Sequence, residues 1–367
     1  MHSQYRPDID GLRAISAIAV VLFHAQVPGF RGGFIGVDIF FVISGYLITR
    51  LLCAPGEQPV RQRLAQFYVR RCRRVLPALL VLLVILTPAA IIMLRPADLH
   101  IYGKYLASTS ILLTNVVAWA DRNSGLPPLI HLWTIAVEEQ FYLLYPLLLL
   151  WATTRLTRPI VPIAMLAVAS FTLSVWAAYA MPLANFYLTP PRVWELLLGA
   201  LPAIESFRVR SGVAREVLAL TGATVIVLAV GTYSSQSHYP GIPALPVCLA
   251  AVSLLVTGQD SVTMVARLLS SRPLVVTGLI SYSLYLWHAP LLALFYYRTG
   301  ASPNGVQTAL LLPAIWLLAL LSWFVVERPV RSGKLFKSDR RFLVASAIAN
   351  FALGGAGLYL WSTRVFR

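Results

Sequence analysis

Apolar runs about as long as a bilayer is thick recur along the whole chain, separated by short segments where arginine, lysine, proline and glycine collect. This pattern predicts eleven membrane-spanning helices, over residues 12–28, 34–52, 75–94, 132–151, 160–181, 192–206, 217–234, 242–257, 274–297, 307–326 and 342–361. A twelfth apolar stretch, 101–119, complicates the count. The segment 53–74 carries Arg61, Arg63, Arg70, Arg71, Arg73 and Arg74. Segment 327–341 carries Arg328, Arg331, Lys334, Lys337, Arg340 and Arg341, and a third basic loop holds Arg208, Arg210 and Arg215. Basic loops stay in the cytoplasm. All three share that side only if the chain crosses once or three times between residues 74 and 132. One crossing, at 75–94, is expected, with 101–119 re-entrant or packed inside the bundle. The N-terminus is then inside and the C-terminus outside. Of 30 basic residues, all but Arg31, Arg95, Lys104, Arg122, Arg192, Arg298, Arg364 and Arg367 fall at or near the cytoplasmic face.

Composition agrees: 58% of residues are hydrophobic, 12% are charged and the mean hydropathy is +0.73, which excludes an ordinary soluble domain. The expected fold is all-α, a polytopic helical bundle forming one membrane domain over residues 1–367, with no sizeable soluble domain. The formal charge of +16 suggests nucleic acid only until the basic residues are placed. Most of them sit in loops, and no RNA- or DNA-binding constellation accompanies them. Cys53, Cys72 and Cys248 lack metal-ligand spacing, and no metal site is expected.

Polar groups inside apolar spans are costly and mark reaction sites or pathways by default. Arg13 and His24 share the first span. Eleven residues of helix turn through about 1100° and rise roughly 16 Å, so both side chains point to one face. Asp10, three residues before Arg13, is placed to pair with it. Read blandly, Arg13 is an anchoring arginine and His24 a core histidine bonded to a carbonyl. Asp38 opens the second span, where it either orients His24 or complements the helix dipole. In the run Arg70-Arg71-Cys72-Arg73-Arg74, guanidinium forks suit phosphate groups, although topology alone accounts for some of them.

The segment from His131 to Tyr142 holds Glu138, Glu139 and Gln140. The two glutamates diverge by about 100°, so one at most faces a given site. A structural pairing with Arg192 is the alternative, and Glu195 is a further candidate for that network. Tyr285 and His288 lie just before Pro290, which can kink the helix and open a polar pocket. For His288 a structural hydrogen bond is the preferred reading over catalysis.

These motifs come in a familiar order: Asp10-Gly-Leu-Arg13 with His24, then Gly-Val-Asp38-Ile-Phe-Phe-Val-Ile-Ser-Gly, then Arg70-Arg71-x-x-Arg74. After them come His131-x-Trp through Glu138-Glu139-Gln-Phe-Tyr, and Ser-Tyr-x-Leu-Tyr-Leu-Trp-His288. The chain resembles the acyltransferase family 3 membrane proteins, bacterial O-acyltransferases of surface polysaccharides, over essentially its whole length. The resemblance implies an inner-membrane enzyme that moves an acyl group, usually acetyl, from cytoplasmic acyl-CoA to a hydroxyl of an extracytoplasmic carbohydrate, such as lipopolysaccharide O-antigen or exopolysaccharide. It also implies, for many relatives, a periplasmic SGNH domain after the eleventh span. Here the chain stops at Arg367, as a natural short form or a trimmed one.

On this reading Arg70, Arg71 and Arg74 hold the phosphates of CoA, with Arg13 helping. His24, oriented by Asp38 or Glu139, acts as general base, a task suited to a group that titrates near neutrality. Asp10, His131, Glu138, Arg192, Glu195, Tyr285 and His288 complete a substrate or structural polar network. The rival reading is a transporter or flippase of a solute or glycolipid, without covalent chemistry. A non-catalytic scaffold poorly explains so many intramembrane charges.

Overall fold

A computed structural model describes residues 5–54, 58–121, 127–205, 207–234, 238–259 and 263–363. The predicted positions Arg122, Arg364 and Arg367 lie outside these. Helices account for most of the described chain, and no strand occurs among the described residues. Seven helices are long and apolar enough to cross a membrane: Gly33–Cys53, Val60–Met93, Ile130–Arg155, Ile160–Ala180, Gly212–Thr232, Gly305–Arg331 and Asp339–Ser362. An eighth forms if the pair Arg272–Leu279 and Ser281–Thr299, bent by 67°, counts as one broken span. Apolar side chains such as Ile92, Val306 and Phe351 point outward from these helices, as lipid-facing positions do. The protein is a helical multi-pass membrane protein.

Each of the eleven predicted spans coincides with helix, but eleven crossings are not established. Pro7–His24 carries Asp8, Asp10 and Arg13, while Val193–Ile204 and Ala244–Thr257 are shorter than a bilayer crossing requires. The stretch 101–119 is broken into Pro96–Ser110 and Thr114–Ala120, with Leu112 between them at a positive φ of 59°. Val60–Met93 extends well beyond its predicted span. Its 34 residues would measure about 51 Å, far more than the ~30 Å hydrocarbon core. The surplus at its N-terminal end carries the arginine run.

Contacts divide the chain into two compact units, each assembled from segments distant in sequence. The first comprises Met1–Glu57 with Val137–Ser281, and the second Gln58–Ala136 with Tyr282–Arg367.

The first unit is organised by Gly36–Cys53 packed on Val193–Ile204. At their crossing a Cβ on Gly45 would lie 1.7 Å from the Leu196 carbonyl oxygen, and one on Gly199 would lie 1.9 Å from that of Val42. Backbone therefore touches backbone, as small residues allow between membrane helices. One sequence offset, 154, relates Gly45 to Gly199 and Asp38 to its ion-pair partner Arg192. Two such matches in the same order mean that the helices run parallel. If both cross the membrane, an odd number of crossings separates them, which is the parity expected from the basic loops. Pro7–His24 makes a similar approach to Arg272–Leu279, where a Cβ on Gly278 would meet the Asp10 carbonyl oxygen at 1.9 Å.

In the second unit Pro96–Ser110 packs along Asp339–Ser362. Gly103 and Gly357 mark the contact, and Asn350 Nδ2 donates to the Ser110 carbonyl at 2.9 Å. The helix Gly305–Ser322 continues into one wide turn, Trp323–Glu327, of the π type.

Gly199→Val is expected to destabilise the protein by at least about 2 kcal/mol, because two backbones must separate to admit the side chain. Gly355→Val, in open space, should leave the unfolding temperature in detergent unchanged. Equal melting temperatures for the two variants would contradict the crossing.

Candidate active site

The first unit holds His24, Arg13, Asp38, Glu138 and Glu139. Pro7–His24 is continuous, so the eleven-residue spacing does set Arg13 and His24 on one face. Arg13 Nη1 lies 3.2 Å from Asp10 Oδ1, and the Tyr5 hydroxyl donates to Asp10 Oδ2 at 2.8 Å. Burial, then the bond to Asp10, pushes the Tyr5 phenol up to about 12, so it remains a donor at physiological pH. His24 lies at the last position of the helix with its side chain exposed. Its Nδ1 donates to the Val20 carbonyl at 2.9 Å. A carbonyl can only accept, so this bond places the ring proton on Nδ1 and leaves Nε2 with a lone pair when the ring is neutral.

Asp38 does not take the imidazole partner suggested for it. Its Oδ1 accepts from Arg192 Nη2 at 3.0 Å and its Oδ2 from the Tyr239 hydroxyl at 2.5 Å. Arg192 also lies 3.2 Å from Glu195 Oε2 and stacks over Phe41, 5.3 Å from the ring centre. All three charged side chains are at most 1% exposed. His24 is bonded to its own helix backbone at Val20. The parallel crossing explains the exchange, because it delivers Arg192 to the first turn of Gly36–Cys53.

Glu138 accepts from the Ser44 hydroxyl at 2.9 Å. Glu139 follows, half-buried, and Gln140 accepts from the Thr189 hydroxyl.

The second unit holds Arg70, Arg71 and Arg74, together with His131, Tyr285 and His288. Arg70 is exposed, and Arg71 and Arg74 are half-buried. The rings of His131, Tyr285 and His288 form a triangle with centres 5.2–5.6 Å apart. The Tyr285 hydroxyl donates to the His131 carbonyl at 2.9 Å and accepts from Thr134 at 2.8 Å, while His288 Nδ1 donates to the Tyr285 carbonyl at 2.6 Å. All three rings are buried, which suits a polar girder.

Three participants escape a reading of the sequence. Tyr239 gives no signal, being about 200 residues from Asp38. Arg6 is bonded to Asp8 and to the Leu255 carbonyl, but at the edge of a span it passes for an anchor. Glu327 falls just past the predicted span 307–326, in the basic segment, where a carboxylate gives no signal; it is 1% exposed and accepts from Ser283 at 3.1 Å and Arg331 at 3.0 Å. Among the described residues no group of three His, Cys, Asp or Glu side chains has metal-binding geometry.

The protein is thus an all-helical membrane protein whose first unit carries an exposed imidazole and whose second carries an arginine-rich helix end. The profile of a family described as an acyltransferase domain matches residues 6–328, and the chain belongs to this family. It is 32% identical to the peptidoglycan O-acetyltransferase OatA of Listeria monocytogenes, over 93% of this chain and 59% of that protein. It is 31% identical to the O-acetyltransferase OatA of Staphylococcus aureus strain NCTC 8325, over 91% and 58%. The putative peptidoglycan O-acetyltransferase YrhL of Bacillus subtilis is 29% identical, over 94% and 57%. The chain thus spans a little under three fifths of the length of these relatives. No solved structure gives a significant match.

Arg192→Leu strands the Asp38 and Glu195 carboxylates in the interior, and a cost of about 3–5 kcal/mol is expected. The combination with Asp38→Asn should recover part of that loss in thermal unfolding. A double variant no more stable than Arg192→Leu would show that the two residues are not coupled.

Proposed function

We propose that the protein is a membrane O-acetyltransferase that carries an acetyl group from cytoplasmic acetyl-CoA to a glycan hydroxyl on the far side of the bacterial cytoplasmic membrane, with peptidoglycan as the acceptor. The observation that carries this reading is the fixed tautomer of His24, in a chain of the acyltransferase family. A thioester is already reactive, whereas a sugar hydroxyl needs its proton removed as it attacks. His24 Nε2 takes that proton, the hydroxyl oxygen forms a bond to the acetyl carbonyl carbon, and the carbon–sulfur bond breaks. The CoA thiolate leaves and is reprotonated, and His24 returns its proton to solvent.

Arg70, Arg71 and Arg74 bind the phosphates of CoA, because planar guanidinium groups meet phosphate oxygens two at a time. Arg13, held by Asp10, contributes a fixed positive charge on the face of the helix that bears His24. Glu138 and Glu139 belong to the polar lining that receives the acceptor, and the buried Asp38–Arg192–Glu195 cluster holds their unit together. Delivery to the wall polymer involves an SGNH-type domain as partner. The names of the relatives favour peptidoglycan over lipopolysaccharide or exopolysaccharide.

His24→Ala should lower acetyl transfer by roughly 10²–10⁴-fold while the protein still folds, read as acetyl-CoA turnover in detergent and as O-acetylated muropeptides by mass spectrometry. Wild-type turnover in that variant would remove His24 from the chemistry. Arg71→Ala should raise the KM for acetyl-CoA about tenfold and weaken thermal stabilisation by CoA. A protein that moves a whole solute, with no acetylated product and no stabilisation by CoA, would be a transporter instead.

A further inference from the structure

One arginine of the basic run behaves unlike its neighbours. Arg73 is buried, and its guanidinium is fully engaged within the second unit. Nε lies 2.8 Å from Asp339 Oδ1, Nη1 donates to the Val330 carbonyl at 2.8 Å, and Nη2 donates to the Phe336 carbonyl at 2.7 Å. Its plane stacks over Phe342, 5.0 Å from the ring centre, and Phe342 in turn packs edge-on against Phe336. Five N–H groups in a rigid fork suit three acceptors on one loop. Such a residue is an unsuitable ligand for an incoming phosphate, in contrast to the exposed Arg70 of the same run.

The loop it holds is itself basic. Arg331, Lys334, Lys337, Arg340 and Arg341 lie within it or at its edge, and all are exposed. The nearby acids are already neutralised: Asp339 faces Arg73, and Glu327 accepts from Arg331 and Ser283. Lys337 directly follows Phe336 and Arg340 directly follows Asp339, so both lie within one Cα step, about 3.8 Å, of the clamp. On the helix side Arg74 is one step away and Arg71 two.

We infer that the loop 331–341 forms the second wall of a polyphosphate-binding cleft, with Lys334, Lys337 and Arg340 facing the anion opposite Arg71 and Arg74, and that Arg73 is the positioning residue that fixes this wall. The inference rests on the acetyl-CoA reading and deepens it. The 3′-phosphate and diphosphate of CoA carry more negative charge than one arginine pair neutralises, and two basic walls can grip phosphates from both sides. Clusters of phosphate oxygens are also presented by anionic lipid headgroups, which share this chemistry.

The test uses the protein in nanodiscs of phosphatidylcholine alone and of phosphatidylcholine with phosphatidylglycerol. Binding and turnover of acetyl-CoA are measured for wild type, the triple variant Lys334→Gln, Lys337→Gln, Arg340→Gln, Arg73→Ala and Arg73→Lys. The triple variant changes only exposed side chains and should fold normally. In neutral discs it should raise the KM for acetyl-CoA about tenfold with kcat at saturation unchanged, and flatten the dependence of KM on salt. Arg73→Ala should show the same split. Arg73→Lys should not restore it, because an ammonium lacks the fork. An unchanged KM in the triple variant, alongside a raised KM in Arg71→Ala, would overturn the second wall and leave the acetyl-CoA reading standing. Loss confined to discs containing phosphatidylglycerol would assign the surface to lipid headgroups and overturn it equally. If wild type neither binds nor turns over acetyl-CoA, the donor assignment itself falls.

Discussion

A guanidinium removed from water must be given anions, and the first unit is built around meeting that demand for Arg192. Leaving one buried partner of such a group unpaired costs several kcal/mol. Glu195 comes cheaply, one helical turn along the same segment. Asp38 comes from 154 residues upstream, on a different helix. Gly45 and Gly199 remove the side chains that would hold the two helices apart. The ion pair and the glycine contact share one register, and each holds the two helices in it. Tyr239 occupies the second carboxylate oxygen, which completes the constraint.

The second unit solves a related problem with backbone acceptors. Arg73 is satisfied by two carbonyls and one carboxylate on a single loop, so it orders a connection rather than a helix pair. Glu327, at the end of the wide helical turn, is satisfied by Ser283 and Arg331. In both units the polar groups inside apolar surroundings hold one another, and those left accessible are the candidates for chemistry. His24 belongs to the accessible set. Its bond to the Val20 carbonyl, made within its own helix, places the ring proton on Nδ1.

Much of this was legible from the string of residues. Hydrophobic periodicity located a helix at every predicted span, because burial in lipid demands long apolar runs whatever the packing. The Arg13–His24 face and the Asp10–Arg13 pair followed from helical geometry alone. The basic loops implied a crossing parity, and the parallel pair in the first unit agrees with it if both of its helices cross the membrane. The count of crossings was less legible. A run such as 192–206 is apolar enough but forms only the short helix Val193–Ile204, and 274–297 bends by 67° near its start. Where a helix stops or turns depends on what it packs against.

What the sequence determined by itself, then, is everything that depends on neighbours along the chain: an all-helical membrane protein, a histidine and an arginine on one helix face, a concentration of arginines before a span, and a family resemblance carried by motifs in order. Only the tertiary structure decided the partners. It took Asp38 from His24 and gave it to Arg192 and Tyr239, and it turned Arg73 inward while Arg70 stayed exposed. The physical reason is that helical geometry is set within a few residues, whereas a buried charge is satisfied by whichever opposite group packing brings within about 3 Å, and sequence distance does not limit that choice.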